Sequence, residues 1–563
     1  MQTPISEYIR QLRRQRGMTQ TELGGEHFSK SYVSAVEREK IVPSYAALRF
    51  FAEQLDQSVD YFRELAEQPA HLPQHSTQLV SSFENDDEMD ESIELLDMVL
   101  EGAELPHTSF SQKLSALPME ILLHLPLPKQ ARYCLMKGLL LQEQGNLVDS
   151  QPLLERALVL SPTKNQPVIL DALGTNFALT FTYQTALGYH QRALHLLELD
   201  ETDRKMSALF LKIKLHCGDD FRALNNHTDA LEHYEHARQS LRSNSNIDIA
   251  GQIYVGLGYC RYASIYQEPN FTRLSYEEKE HLLQQAASFL LQSRTLYQIS
   301  SNRTGESKVR LLHANVLLSI CSLRRQVALE RTQNNESIQS LQCATFLDEA
   351  GEQCRQVLLS WNETMLISNQ PSPDLEIVVY TALSTLVSVY VQRAAIARLE
   401  GYSNTALRDR THAAHLCQQA LDTITKPELL RSLMHNALAS GTREAQRLQA
   451  LPRLPDMSKN RLTPHPIGIA ALFSAAGEVA EELGRSATTP AYASDCYTHA
   501  NQCFKTSVRI ERQSPFLQEH DASFLTRQCQ HYIMLIEERL QIAPEAREET
   551  GMLVLDLFKN TLY

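Results

Sequence analysis

The chain has 563 residues, 43% of them hydrophobic, which is enough for two or more structured regions and a large continuous core. Its 20 Gly and 22 Pro are few for that length and suit an all-α chain, while its ten cysteines never form a CxxC pair and read as reduced core thiols of a cytoplasmic protein. Acidic residues outnumber basic ones, 67 to 53, and the net charge of −14 is concentrated mostly in one stretch near the amino terminus.

Residues 5 to 63 come first. Thr19 with Glu22 three positions on has the spacing of a capping box, in which each side chain serves the other's free backbone N–H. Gly24 and Gly25 follow and allow a tight reversal, after which Ser29 is a second N-cap candidate. Val33 and Val36 point inward with Phe28, Leu12 and Leu23. Lys30, Ser31, Ser34 and Ala35 fall on the other face of the same helix, which is small, polar and basic and could enter a major groove about 12 Å wide.

These residues resemble the XRE-type, lambda-repressor-like helix-turn-helix family over about a tenth of the chain. The family's pattern is represented by Thr19, Gln20, Glu22, Leu23, Ser29, Val33, Val36, Glu37, Pro43, Ser44 and Leu48. The resemblance implies that Gln20 and Lys40 touch phosphate and that Lys30, Ser31, Tyr32, Ser34 and Ala35 face bases, with Ser29 and Arg38 completing the DNA-binding set. It also implies an ion pair between Arg13 and Glu37. One departure is Glu39, where the family usually has Gly.

Charge supports the same face. Residues 1–66 carry nine basic and nine acidic side chains, but up to Arg49 the balance is eight to five. So weak an excess predicts modest, salt-dependent affinity for one head; readers of this motif commonly bind as dimers on two half-sites about one DNA turn apart, so a homodimer on double-stranded DNA is expected. Residues 67–106 then read as a Pro-containing polar linker followed by an acidic amphipathic helix bearing Met89, Ile93, Leu96, Val99 and Leu100. Between Glu67 and Glu104 there are eleven acidic residues and no basic one. This run reads as a solvated tether that keeps the head free, or as a competitor of DNA for the basic face.

From 107 to 563 the chain repeats. Gly138, Ser150, Leu154, Ala157 and Pro162 have the register of a tetratricopeptide repeat. Gly174, Ala186, His190 and Ala193 restate it, as do Gly218, Ala230, Tyr234 and Ala237. Small residues are needed at these places because the two helices of a hairpin cross at close range. Later units diverge, with longer loops expected at Thr332 to Ser340 and Leu451 to Pro464. The expected architecture is thus an all-α chain: a helix-turn-helix bundle, 1–66, followed by a tetratricopeptide-like α-solenoid of seven to nine helical pairs. In that register Arg132, Leu135, Gln142, Thr175, Arg222, Tyr259 and Tyr262 line the inner wall, offering donors and flat rings to a ligand.

Domain order and length resemble the RRNPP group of bacterial regulators, in which an XRE-type head precedes a tetratricopeptide-like domain that binds a short signalling peptide. The resemblance implies a ligand-gated transcription regulator in which an oligopeptide alters the separation of paired heads, as in quorum sensing. The rival reading is a scaffold or response-regulator-binding protein with a secondary DNA-binding role. Catalysis is not expected. There is no GxxxxGK[ST] loop and no HExxH, and the pairs His233 with His236 and His412 with His415 lack further ligands at metal spacing. No cofactor or metal is expected. No apolar stretch of spanning length is read in the sequence, and the amino terminus, with Arg10 to Arg16, is not a secretion signal.

Overall fold

The computed structural model describes residues 9–55 in part, 127–199, 208–241, 245–266, 273–333, 341–367, 373–425, 451–453 and 466–512, with isolated residues at 429, 433 and between 529 and 540. The linker and acidic helix expected at 67–106 lie outside the described residues. Among the described residues every regular element is a helix. Contacts divide the chain into two compact units, 1–220 and 221–563.

In the head, a helical stretch containing Ile9 and Arg13 precedes α1 (Gln20–Gly24), α2 (Lys30–Glu37) and α3 (Tyr45–Gln54). The capping box is present: Thr19 N–H donates to Glu22 Oε2 at 2.6 Å and Glu22 N–H donates to Thr19 Oγ1 at 3.2 Å. Gly25 ends α1 with φ +54°, a left-handed conformation that favours glycine. Tyr32 N–H then donates to Ser29 Oγ at 3.2 Å, so Ser29 caps α2 as its type suggests. Ile9, Leu23, Val33, Val36, Ala47, Phe51 and Leu55 are fully buried together. The Phe28 ring closes this core, 5.5 Å from both Phe50 and Phe51.

The body supplies fourteen described helices: α4 (Leu127–Glu143), α5 (Leu147–Leu160), α6 (Gln166–Leu179), α7 (Tyr183–Leu199), α8 (Ala208–Ala223), α9 (His227–Gln239), α10 (Ile247–Ser264), α11 (Tyr276–Ser300), α12 (Arg303–Gln333), α13 (Ala344–Ile367), α14 (Pro373–Leu399), α15 (Ser403–Thr425), α16 (Pro466–Arg485) and α17 (Pro490–Arg512). Packing is between near neighbours in sequence: α4 on α5 and α6 on α7 in the first unit, and α10 on α11, α14 on α15 and α16 on α17 in the second. α3 also packs on α5, and Val159 borders the core of the head, so the head rests against the body rather than standing free of it.

The small residues sit where the hairpins are tightest. A Cβ on Gly138 would lie 2.7 Å from Leu154 Cδ2, and one on Gly174 would strike the His190 ring. Both partners are sixteen residues on, as the repeat register requires. The residue twelve on from Gly138 adds a staple, because buried Ser150 Oγ donates to the Gly138 carbonyl at 2.7 Å. Ser293 on Gly251 and Ser507 on Ala470 repeat this bond at 2.8 and 2.7 Å.

Two expectations change. The loop expected from Thr332 begins later, since α12 runs 31 residues to Gln333; most of both expected loops lies outside the described residues. A stretch of α14, residues 377–399, is long and apolar enough to cross a membrane, with mean hydropathy 1.3, contrary to the sequence reading. That stretch is 72% buried inside the fold, packed on α12, α13, α15 and α16, so its apolarity is accounted for by core packing. All ten cysteines are buried and unbridged. Burial pushes the Cys134 thiol up to about 11 and those of Cys354, Cys503 and Cys529 up to about 12.

Candidate nucleic-acid interface

The interface is built on α2. Its inward side is fixed by Val33 and Val36 and by an ion pair at its last turn: Arg13 Nη2 donates to Glu37 Oε2 at 3.0 Å and Arg13 Nε donates to Glu37 Oε1. Arg13 Nη1 donates to the Met18 carbonyl at 2.6 Å, tying the same guanidinium to the entry of α1. Arg13 and Glu37 are 9% and 6% exposed, so each charge depends on the other. Burial alone would raise the Glu37 pKa, but the bonds from Arg13 and Gln20 and the nearby charges of Arg13 and Arg10 outweigh it and hold the carboxyl ionised.

With that side locked, Ser29, Lys30 and Arg38 are exposed and Ser34 is half-buried. Ser31 and Ala35 share the helix with them. Exposed Arg10, Arg14 and Arg16 add positive charge on the preceding segment. Tyr32 is half-buried and its ring stacks on Phe28, centroids 5.1 Å apart, so part of this side chain serves packing. Gln20, expected at phosphate, is half-buried and its amide donates to Glu37 Oε2 at 2.7 Å, a second task that the sequence did not reveal. Lys40 and Glu39 lie outside the described residues.

Of the expected inner-wall residues in the body, Tyr262 is a correction. It is 3% exposed, with its hydroxyl accepting from Ser319 Oγ at 3.3 Å, because its side of α10 is covered by the helices α11 and α12 that pack on it. Leu135, 2% exposed, is likewise core. Arg132, Gln142, Thr175, Arg222 and Tyr259 are half-buried. In the first unit Gln142 Nε2 donates to the Ala172 carbonyl at 3.0 Å, and Thr175 Oγ1 donates to the Asp171 carbonyl at 2.9 Å, so both help join or shape helices. In the second unit the Arg222 guanidinium lies over the Tyr259 ring at 5.4 Å, a cation–π pair.

Residues 9–62 match the helix-turn-helix family. No curated protein matches the chain at a significant level. Similar solved structures include that of Bacillus thuringiensis PlcR in complex with the peptide PapR7 and DNA, 16% identical over 52% of this chain and 98% of that one, with a TM-score of 0.25. A Rap protein complexed with competence and sporulation factor is 13% identical over 70% of this chain and 94% of that one, with a TM-score of 0.29. Naa15/Naa10 bound to HypK-THB is 11% identical over 84% of this chain and 83% of that one, with a TM-score of 0.20. The chain thus carries a helix-turn-helix segment over residues 9–62, followed among the described residues by a body of paired helices.

Proposed function

We propose that this chain is a cytoplasmic transcription regulator that reads duplex DNA with α2 and whose helical body senses a short signalling peptide. The observation that carries the DNA reading is the division of α2 into two sides. Val33, Val36 and the Arg13–Glu37 pair consume the inner side, while Ser29, Lys30 and Arg38 are left exposed. A helix so anchored can lie in the major groove with its amino-terminal residues at base edges and its first N–H groups toward phosphate. For the body, what supports a peptide is the repeat of close-packed hairpins and, in the second unit, the cation–π pair of Arg222 and Tyr259, whose flat surfaces suit a peptide's backbone and apolar side chains. Two heads, brought together in a homodimer, would compensate for the small positive excess of one, and the peptide would act by favouring one spacing of the pair.

The test is selection of duplexes from a random library by the full chain, with and without cell-derived peptide extract. The expected result is an enriched paired sequence whose binding responds to the extract. Lys30→Ala is expected to weaken binding and reduce the dependence of log affinity on log salt by about one phosphate equivalent, or to relax preference at one base position. No enrichment of any sequence would overturn the reading in favour of a protein-binding scaffold.

A further inference from the structure

Three consecutive helices of the first unit converge on a polar cluster that DNA reading does not use. Asp171 comes from α6, His190 from α7, and Lys212, His216 and Asp220 from α8, where steps of four place all three on one stripe. Asp171, His190 and Asp220 are 3%, 1% and 2% exposed. The side chains of His216 and Lys212 are 20% and 41% exposed, so the cluster opens to solvent on the α8 side. His190 occupies the place that Leu154 holds in the preceding hairpin, sixteen residues beyond a packed glycine.

Burying these groups is costly unless each has a partner. His190 Nδ1 lies 2.5 Å from Asp220 Oδ2, so the two share a proton between them. Its Nε2 faces two oxygens of Asp171, the carbonyl at 3.3 Å and Oδ1 at 3.8 Å. A neutral ring protonated on Nδ1 would set a lone pair against both. His216 Nδ1 is 2.7 Å from the same Asp171 Oδ1, while Lys212 Nζ is 3.4 Å from Oδ2. The surroundings therefore call for positive charge beside Asp171 Oδ1.

We propose that Asp171 Oδ1, His190 Nε2 and His216 Nδ1 bind a divalent transition-metal ion of the zinc class, with Asp220 as the carboxylate that orients His190. One donor atom from each of these three residues lies within 4.8 Å of the others. Tetrahedral zinc, with bonds of about 2.0 to 2.1 Å, sets its donors about 3.3 Å apart, so small side-chain rotations admit the ion. Two imidazoles and a carboxylate are donors that suit zinc, cobalt and nickel. A carboxylate on the far nitrogen of a ligating histidine is the usual outer support, fixing tautomer and ring orientation. Two carboxylates balance the ion's charge, and the solvent side leaves a fourth position for water. Bound there, the ion would join α6, α7 and α8.

The full chain, stripped of metal by chelator and dialysed, should be titrated with Co²⁺ and followed by visible absorption, then competed with Zn²⁺. One equivalent per chain with the bands of four-coordinate cobalt is expected, abolished in His216→Gln, the most accessible ligand, while helix content by circular dichroism is unchanged. Asp220→Asn is expected to weaken binding by about 10- to 100-fold. Lys212→Met, which removes a competing cation, should tighten it. His415→Gln, on α15 of the second unit, should leave it unchanged. Absence of a stoichiometric signal in the unaltered chain would overturn the site, since the cluster would then be satisfied by protons alone. A signal that survives in His216→Gln would overturn it as well, showing binding to surface histidines only.

Discussion

Arg13 illustrates how much one side chain can hold. It donates to both oxygens of Glu37 and to the Met18 carbonyl, joining the start of α1 to the end of α2. Truncating it as Arg13→Met would leave a carboxylate that is 6% exposed without its counter-charge. The expected cost is about 3 to 5 kcal/mol of head stability, and the double change with Glu37→Leu should recover most of it. Hydrogen exchange of the α2 amides reads this directly. His313 on α12 gives the pH counterpart. It is 4% exposed, and burial, reinforced by the charges of Arg294 and Arg310, holds its pKa down to about 4. The unfolded chain takes up this proton near pH 6.5 and the folded chain refuses it until about 4, so stability falls as pH is lowered through that window and is unaffected above it. Urea unfolding at pH 7 and pH 5 should differ by about 1 to 2 kcal/mol from this residue, a difference that His313→Leu removes.

At the scale of elements, adjacent helices predict opposite signs for the same substitution. Gly174 on α6 lies against the His190 ring, so Gly174→Ala must displace it; about 1 to 3 kcal/mol of destabilisation is expected. Gly188 on α7 is exposed with nothing within 4 Å of an added Cβ, so Gly188→Ala should gain about 1 kcal/mol from helix propensity. Thermal melts of the two variants check the register of the hairpins together. Such close-approach glycines are also why the early repeats were legible in the sequence: Gly138 and Gly174 each meet the residue sixteen on. The head was legible for a similar reason, since its caps bind partners three residues away, within one turn. Later pairs were not, because α11 to α14 run 25, 31, 24 and 27 residues and no longer keep the repeat's period. Long-range partnerships were equally hidden. Gln20 meets Glu37 seventeen residues on, Tyr262 is buried by helices that follow it, and Asp171 lies 49 residues from Asp220. The visible sign of the last in the sequence is the four-residue stripe of Lys212, His216 and Asp220, whose partners come from two other helices.

For the whole molecule the governing fact is charge. A chain of net charge −14 is expected to bind a polyanion through a head whose first 49 residues hold eight basic against five acidic side chains. Each phosphate neutralised on duplex DNA contributes about −0.9 to the slope of log affinity against log salt. A single head with so small an excess has few such contacts to offer, whereas the two heads of the proposed homodimer on one duplex would double the slope and make the second docking intramolecular. Affinity gains of about 10²- to 10⁴-fold follow from that change when the half-sites are correctly spaced. The full chain should therefore bind a duplex carrying both selected half-sites far more tightly than one carrying a single half-site, with about twice the salt slope. Moving the half-sites apart by half a helical turn should abolish the gain, because the second head would face the wrong side of the duplex. Titrations of the three duplexes at several salt concentrations measure all of this. Equal affinity for single and paired sites would show that the heads act one at a time.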